Sequence, residues 1–226
     1  MIKDNIDKIR KELPSGVTLV AVSKYHPVEA IKEAYEAGQR IFGENRPQEF
    51  EKKVKELSPW IAEGNREAIE WHFIGHLQTN KLKMVLPYAN LVQSVDSLHL
   101  LQEIDKWGRV NDRIIDVLLE IHLGAEQTKQ GFQEEEVLDI LFNAEMYSNV
   151  RFCGLMGMAT HTDDRDLISA DFSRIDSFMA YLVDLFPELD SFNQLSIGMS
   201  DDWNLAVQHG STMVRVGTSI FGERQY

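Results

Sequence analysis

The chain has 226 residues, 43% of them apolar and 26% charged, which is enough for one sizeable core at a length that single α/β barrels commonly reach. Its 36 acidic residues outnumber 23 basic ones for a formal charge of −13, so nucleic acid and membrane surfaces are not expected partners. The one cysteine, Cys153, excludes an intrachain disulfide and a cysteine-rich metal site, and suits a reducing cytoplasm.

The expected elements alternate from one end to the other. A helix over Lys3–Glu12 precedes a strand over Val17–Ser23, a helix over Pro27–Ala37 and a strand over Arg40–Gly43. A helix over Pro47–Leu57 and an irregular stretch, Ser58–Glu70, expected as a surface loop, lead to a strand over Trp71–Ile74. Then come a helix over Thr79–Leu86, a strand over Leu91–Val95, a helix over Leu98–Lys106 with Ser97 as N-cap, and a strand over Ile115–Ile121. The last third adds helices over Glu134–Ala144, Asp166–Phe186 and Asp201–Gln208, with strands over Arg151–Met156, Gln194–Ile197 and Met213–Val216.

Strict alternation of short apolar strands with longer amphipathic helices means a parallel sheet with helices outside it. Eight strands favour closure into a (β/α)8 TIM-type barrel with an extra N-terminal helix; a doubly wound open sheet is the other arrangement of such a pattern. No repeat, linker or low-complexity tract divides the chain, so one domain over residues 1–226 is expected. The charged start, Met1 to Lys11, lacks the apolar core of a signal peptide, and no run approaches the roughly 20 apolar residues of a spanning helix. A cytoplasmic protein is therefore expected.

In such a barrel, function sits where the strands end. Lys24 follows Leu19-Val20-Ala21-Val22-Ser23 directly. Desolvation at a barrel mouth favours the neutral amine, the form that attacks an aldehyde; a solvated flank or an ion-pair partner is the ordinary alternative. The second strand runs into Gly43-Glu44-Asn45-Arg46, where Asn45 offers an amide to the mouth or simply caps the next helix. His72 and His76 lie four apart on a strand and thus about 13 Å apart, too far to share a metal. His76 suits a polar contact at the mouth, His72 a satisfied place in the core.

After the seventh strand, Ser200 stands at the natural N-cap of the next helix, and after the eighth come Gly217 and Thr218. Barrels often bind a phosphate between these two loops, although Asp201 and Asp202 would weaken the attraction of a helix start for an anion. Arg215 is the sharper signal. It sits inside Met213-Val214-Arg215-Val216, and alternation points it into the barrel if the valines face the helices. A guanidinium buried there needs an acceptor, either an acidic residue or a ligand.

These segments resemble a known family, the pyridoxal phosphate homeostasis proteins, which are built like the N-terminal domain of alanine racemase. The matching stretches are Ala21-Val22-Ser23-Lys24, Phe42-Gly43-Glu44-Asn45, His72-Phe73-Ile74-Gly75-His76-Leu77-Gln78-Thr79-Asn80-Lys81, Gly154-Leu155-Met156, Leu195 to Ser200 and Gly210 to Gly222, in the expected order. The resemblance implies a fold type III barrel holding pyridoxal 5′-phosphate (PLP) as a Schiff base on Lys24. It implies that Ser200, Gly217 and Thr218 hold the phosphate, that Arg215 meets the pyridine nitrogen and that Asn45 lies nearby. The loop Gly154 to His161 is variable and is assigned no role.

The resemblance further implies a cofactor carrier and regulator of vitamin B6 and amino-acid pools with no turnover of its own. Its expected partners are PLP, free amino acids and PLP-dependent apo-enzymes, and it is expected to be a monomer. Chemistry agrees, because an arginine can only donate to the pyridine nitrogen and so leaves the ring a weak electron sink. Two alternatives stay open: a PLP-dependent racemase-like enzyme of weak activity, and a Schiff-base aldolase or phosphosugar enzyme on the same barrel. Efficient racemisation is not expected, since it needs a second acid/base from a further domain, and none follows Tyr226.

Overall fold

In the computed structural model, which describes residues 1–123 and 130–223, the apolar runs become eight parallel strands. They are β1 (Thr18–Val22), β2 (Ile41–Glu44), β3 (Glu70–Phe73), β4 (Leu91–Val95), β5 (Ile115–Ile121), β6 (Val150–Gly157), β7 (Gln194–Ser196) and β8 (Met213–Val216). Each pairs with the next, and β8 closes on β1 with Val20 opposite Arg215 and Ala21 opposite Val216. The helices are α1 (Ile2–Glu12), α2 (Val28–Glu36), α3 (Pro47–Glu63), α4 (Leu82–Val85), α5 (Leu98–Val110), α6 (Glu134–Phe142), α7 (Arg165–Leu185), α8 (Trp203–Gln208) and α9 (Thr218–Phe221). The expected TIM-type barrel with an extra N-terminal helix is the fold observed.

Alternation along the strands splits the core in two. Ala21, Phe42, Phe73, Val117, Leu119, Val214 and Val216 join the large cluster under the helices, whereas Val20, Leu91, Leu118, Cys153, Met156 and Met213 fill the barrel itself. A bulge in β6 interrupts the period: Val117 pairs with Phe152 but Leu118 with Gly154. Gly154 takes φ 143°, and a Cβ there would sit 1.8 Å from the Gln194 carbonyl oxygen. The extra residue lets Cys153 and Met156, three apart, both face inward.

The helices bury stripes at the expected spacing. Val28, Ile31, Ala34 and Tyr35 line α2, and Ser97 caps α5 by accepting the Leu100 N–H at 3.4 Å. The expected loop Ser58–Glu70 is half helix, because α3 continues through Pro59 to Glu63. Pro59 disturbs only the Lys55 carbonyl, on the exposed side of the helix where water can take over. Beyond it, Trp60 packs edge-on against Tyr35 with ring centroids 5.2 Å apart and carries the Arg66 guanidinium 4.1 Å above its ring, which gives the last turn a reason to persist. The helix expected over Thr79–Leu86 is a 3-10 turn, Thr79–Lys81, followed by the single turn of α4.

Candidate ligand site at the barrel mouth

Lys24 lies just past β1, half-buried, as the second residue of a tight turn closed by the His26 N–H donating to the Ser23 carbonyl at 3.0 Å. The third residue of that turn, Tyr25, has φ 67°, a left-handed backbone that a turn of this kind usually reserves for glycine. Tyr25 is held there: its N–H donates to Glu49 Oε1 at 2.8 Å, and the Arg46 guanidinium lies 4.7 Å from its ring centre. Ser23 donates its hydroxyl to Glu44 Oε1 at 2.7 Å, which fixes the residue before Lys24 at the end of β1. The His26 ring stacks on Phe221 with centroids 5.0 Å apart, tying this turn to α9.

The loops after β7 and β8 meet beside that turn. Ser200 is not the N-cap of α8, which begins two residues later than expected; Asp202 takes that place and its carboxylate accepts the Met199 N–H at 2.5 Å. Asp202 holds the position without a side-chain bond into the helix; its carboxylate instead closes the preceding turn through the Met199 N–H. The Ser200 hydroxyl is thereby left to accept the Gly217 N–H at 3.2 Å. Gly217 presses against the end of β1, where a Cβ would stand 3.1 Å from the Val22 carbonyl oxygen. Thr218 and Ser219 open the short helix α9, whose first N–H groups have no intrahelical acceptor.

Arg215 points into the barrel as expected and is 4% exposed. Its acceptors are neither an acid at hydrogen-bond distance nor an external group: it donates to the Ser196 carbonyl at 2.7 Å, the Ser196 hydroxyl at 2.6 Å and the Gly157 carbonyl at 2.9 Å. Carbonyl dipoles satisfy hydrogen bonds without cancelling the charge, so burial lowers its pKa to about 10, with Glu120 and Asp202 opposing the shift. Glu120, inside β5, is pushed up to about 7 by burial, with Asp96 adding and Arg215 subtracting. The Ser196 hydroxyl donates to Gln93 Oε1 at 2.7 Å, and the Gln93 amide donates to His72 Nδ1 at 2.8 Å, so a polar thread crosses the barrel below Arg215.

His72 and His76 part company. His72 is buried on that thread, with Nε2 3.0 Å from Glu70 Oε1, while His76 stands at the mouth with Nδ1 2.7 Å from Asp96 Oδ2. Asn45 does not cap α3, since Arg46 holds the N-cap position. The Asn45 Oδ1 is buried and has no hydrogen-bond partner among the described residues, an arrangement that proteins rarely leave unused.

Sequence reasoning missed Lys53, Glu44 and Glu49, which form one buried ion cluster behind Lys24, and also Glu120. Lys53 carried a readable signal: it occupies the buried stripe of α3 with Phe50, Val54 and Leu57, where an apolar residue belongs. Glu120 carried the same signal as Arg215, a charge inside an apolar strand. Ser196 and Gln93 carried none, because a buried serine or glutamine in a strand announces no particular partner.

The orphaned Asn45 oxygen, the Ser200–Gly217 tie and the turn bearing Lys24 fit a phosphorylated aldehyde anchored by an amine. The family model for the alanine racemase N-terminal domain matches residues 1–225. The chain is 36% identical to the pyridoxal phosphate homeostasis protein of Vibrio alginolyticus over 235 residues, covering 100% of this chain and 98% of that one. It is 38% identical to the protein of the same name from Pasteurella multocida over 216 residues, covering 96% and 90%. Among solved structures, PipY of Synechococcus elongatus with PLP bound superposes with a TM-score of 0.88 at 36% identity, covering 98% of this chain and 100% of that one.

Proposed function

This chain belongs to the pyridoxal phosphate homeostasis proteins, within the alanine racemase N-terminal-domain family, and from that premise we propose that it holds PLP as a Schiff base on Lys24 and acts as a carrier and regulator of PLP and amino-acid pools rather than as a conventional enzyme. The observation that carries this reading is the convergence at one point of the Lys24 turn and the Ser200–Gly217 loop, with Arg215 below them in the barrel. When bound, the cofactor supplies an aldehyde carbon on which amines exchange, and an electron sink only as strong as its ring nitrogen is protonated.

Each residue has a task in that reading. Lys24 would hold the cofactor through its amine, the C=N bond to the aldehyde carbon being made with loss of one water. The Ser200 hydroxyl and the Thr218 N–H would take the phosphate, joined by the Gly217 N–H on leaving the Ser200 hydroxyl, and the buried Asn45 oxygen would find a donor on the ligand. Arg215 stays charged at neutral pH, since about 10 is well above it, and a guanidinium can only donate. Were Arg215 to hold the ring nitrogen, it would offer a hydrogen bond and no proton, so the chemistry of a racemase would be suppressed while release to an incoming amine would not. The partners in this reading are PLP itself, free amino acids and PLP-dependent apo-enzymes, and the working unit is a monomer.

The test combines spectrum and turnover. Wild-type protein incubated with PLP and desalted should keep a visible absorption band, Lys24→Ala should lose it, and L-alanine should discharge the band without D-alanine accumulating. Racemisation at the rate of a true racemase would overturn the carrier reading, and a desalted protein without colour would overturn PLP binding.

A further inference from the structure

Lys53 lies on α3, outside the barrel wall, and is 5% exposed. Its ammonium donates to three acceptors: Glu44 Oε1 at 2.6 Å, Glu49 Oε1 at 2.7 Å and the Ser23 carbonyl at 2.7 Å. Those acceptors reach both sides of Lys24. On the preceding residue, the Ser23 carbonyl bonds Lys53 and the Ser23 hydroxyl bonds Glu44; on the following residue, the Tyr25 N–H bonds Glu49. One buried ion cluster therefore grips the residue before Lys24 and the residue after it. The residue after it is also the one in a left-handed conformation, φ 67° for a tyrosine, which persists only where surrounding contacts enforce it.

The expense of such a cluster asks for a reason. Burying a carboxylate and an ammonium, with a second carboxylate at the edge, is often no better for stability than an apolar cluster of the same shape. Phe50, Val54 and Leu57 show that this face of α3 could be wholly apolar. An apolar residue at position 53 could hold neither the Ser23 carbonyl nor, through Glu49, the Tyr25 N–H. What the ions add is direction for the backbone on either side of Lys24.

We propose that Lys53, acting through Glu44 and Glu49, is a positioning residue that clamps the Lys24 turn and sets where the amine meets an aldehyde. This rests on the assignment of Lys24 as the PLP-binding lysine. None of the clamp's hydrogen bonds reaches the Ser200–Gly217 loop or Arg215, so its larger effect falls on the covalent part of binding and its smaller one on phosphate recognition.

That division supplies the test. Pyridoxine 5′-phosphate keeps the ring and the phosphate but carries an alcohol in place of the aldehyde, so it cannot condense with an amine. In Lys53→Met the affinity for PLP should fall by about tenfold or more, the loss that misplacing a reacting group produces, while pyridoxine 5′-phosphate affinity stays within about twofold. The fraction of bound PLP that borohydride fixes to Lys24 should fall in parallel. Glu49→Gln, on a partly exposed side chain, repeats the test with a smaller loss should Lys53→Met fail to fold.

Equal weakening of both ligands would overturn the proposal by making the cluster a plain structural element, and so would no weakening of either. A wild-type protein that borohydride fails to label at Lys24 would remove the premise instead. Label in the wild type, with no difference between the two ligands in the variants, would remove only the clamp.

Discussion

Two cations are buried on either side of the barrel wall, Lys53 outside at 5% exposure and Arg215 inside at 4%, and they are compensated in opposite ways. Lys53 meets two carboxylates and a carbonyl, all from its own chain. Arg215 meets two carbonyls and a hydroxyl, while Glu120 and Asp202 act on its charge without a hydrogen bond to it. A cation whose charge is answered internally shapes the protein. A cation that spends three of its five N–H donors on carbonyls and a hydroxyl, and meets no carboxylate at hydrogen-bond distance among the described residues, keeps donors and charge for what enters the barrel. In the proposed reading the same residue class thus serves as a positioning element in one place and at a ligand site in the other.

Breaking the cluster should have the largest effect on the ligand-free protein. Lys53→Met leaves Glu44 buried without its counter-ion and should cost about 3–5 kcal/mol by urea denaturation. Adding Glu44→Gln should recover part of that loss, because the neutral amide no longer needs a cation. A Lys53→Met protein as stable as the wild type would end the contrast with Arg215.

Glu120 sharpens the other side. Its carboxyl titrates near 4.5 in the unfolded chain and at about 7 in the fold, so between these values the folded state binds more protons than the unfolded state. Stability from this group is therefore lost as pH rises through that window, by at most about 3 kcal/mol. Glu120→Gln should melt close to the wild type at pH values below the window and above it in temperature at pH 8. A gap that is constant with pH would contradict the assignment.

Arg215→Met should change ligand-free stability by less than about 2 kcal/mol, since a costly charge is removed while Ser196 and Gly157 lose a donor. The rise in melting temperature on adding PLP should shrink sharply, because that rise measures binding to the fold. Asn45→Ala should be smallest, within about 1 kcal/mol in the ligand-free protein because the lost oxygen has no partner, yet it should weaken PLP several-fold.

Most of the fold was legible because strand and helix periods leave marks that tertiary context rarely overrides: all eight strands lie within two residues of the apolar runs that foretold them. Arg215 was legible for the same reason, its inward direction following from Val214 and Val216. Ser200 was misplaced because Ser200, Asp201 and Asp202 are all residues that favour a helix start, and only the folded loop decides that the helix begins after Asp202. The end of α3 was misjudged because Ser58-Pro59 resembles a stop, whereas Trp60 finds its support on α2 and in the Arg66 side chain, contacts that no local pattern records. The clamp was missed because Glu49 and Lys53 stand four apart, the spacing of an ordinary surface pair; only the apolar neighbours of Lys53 argued for burial.

The most direct test of the whole account is to load the wild-type protein with PLP, reduce it with borohydride and map the modified peptide by mass spectrometry beside Lys24→Ala. The account predicts label on Lys24 alone, with the buried amine of Lys53 untouched and nothing retained in Lys24→Ala. Label on another lysine, or the same label in Lys24→Ala, would contradict it.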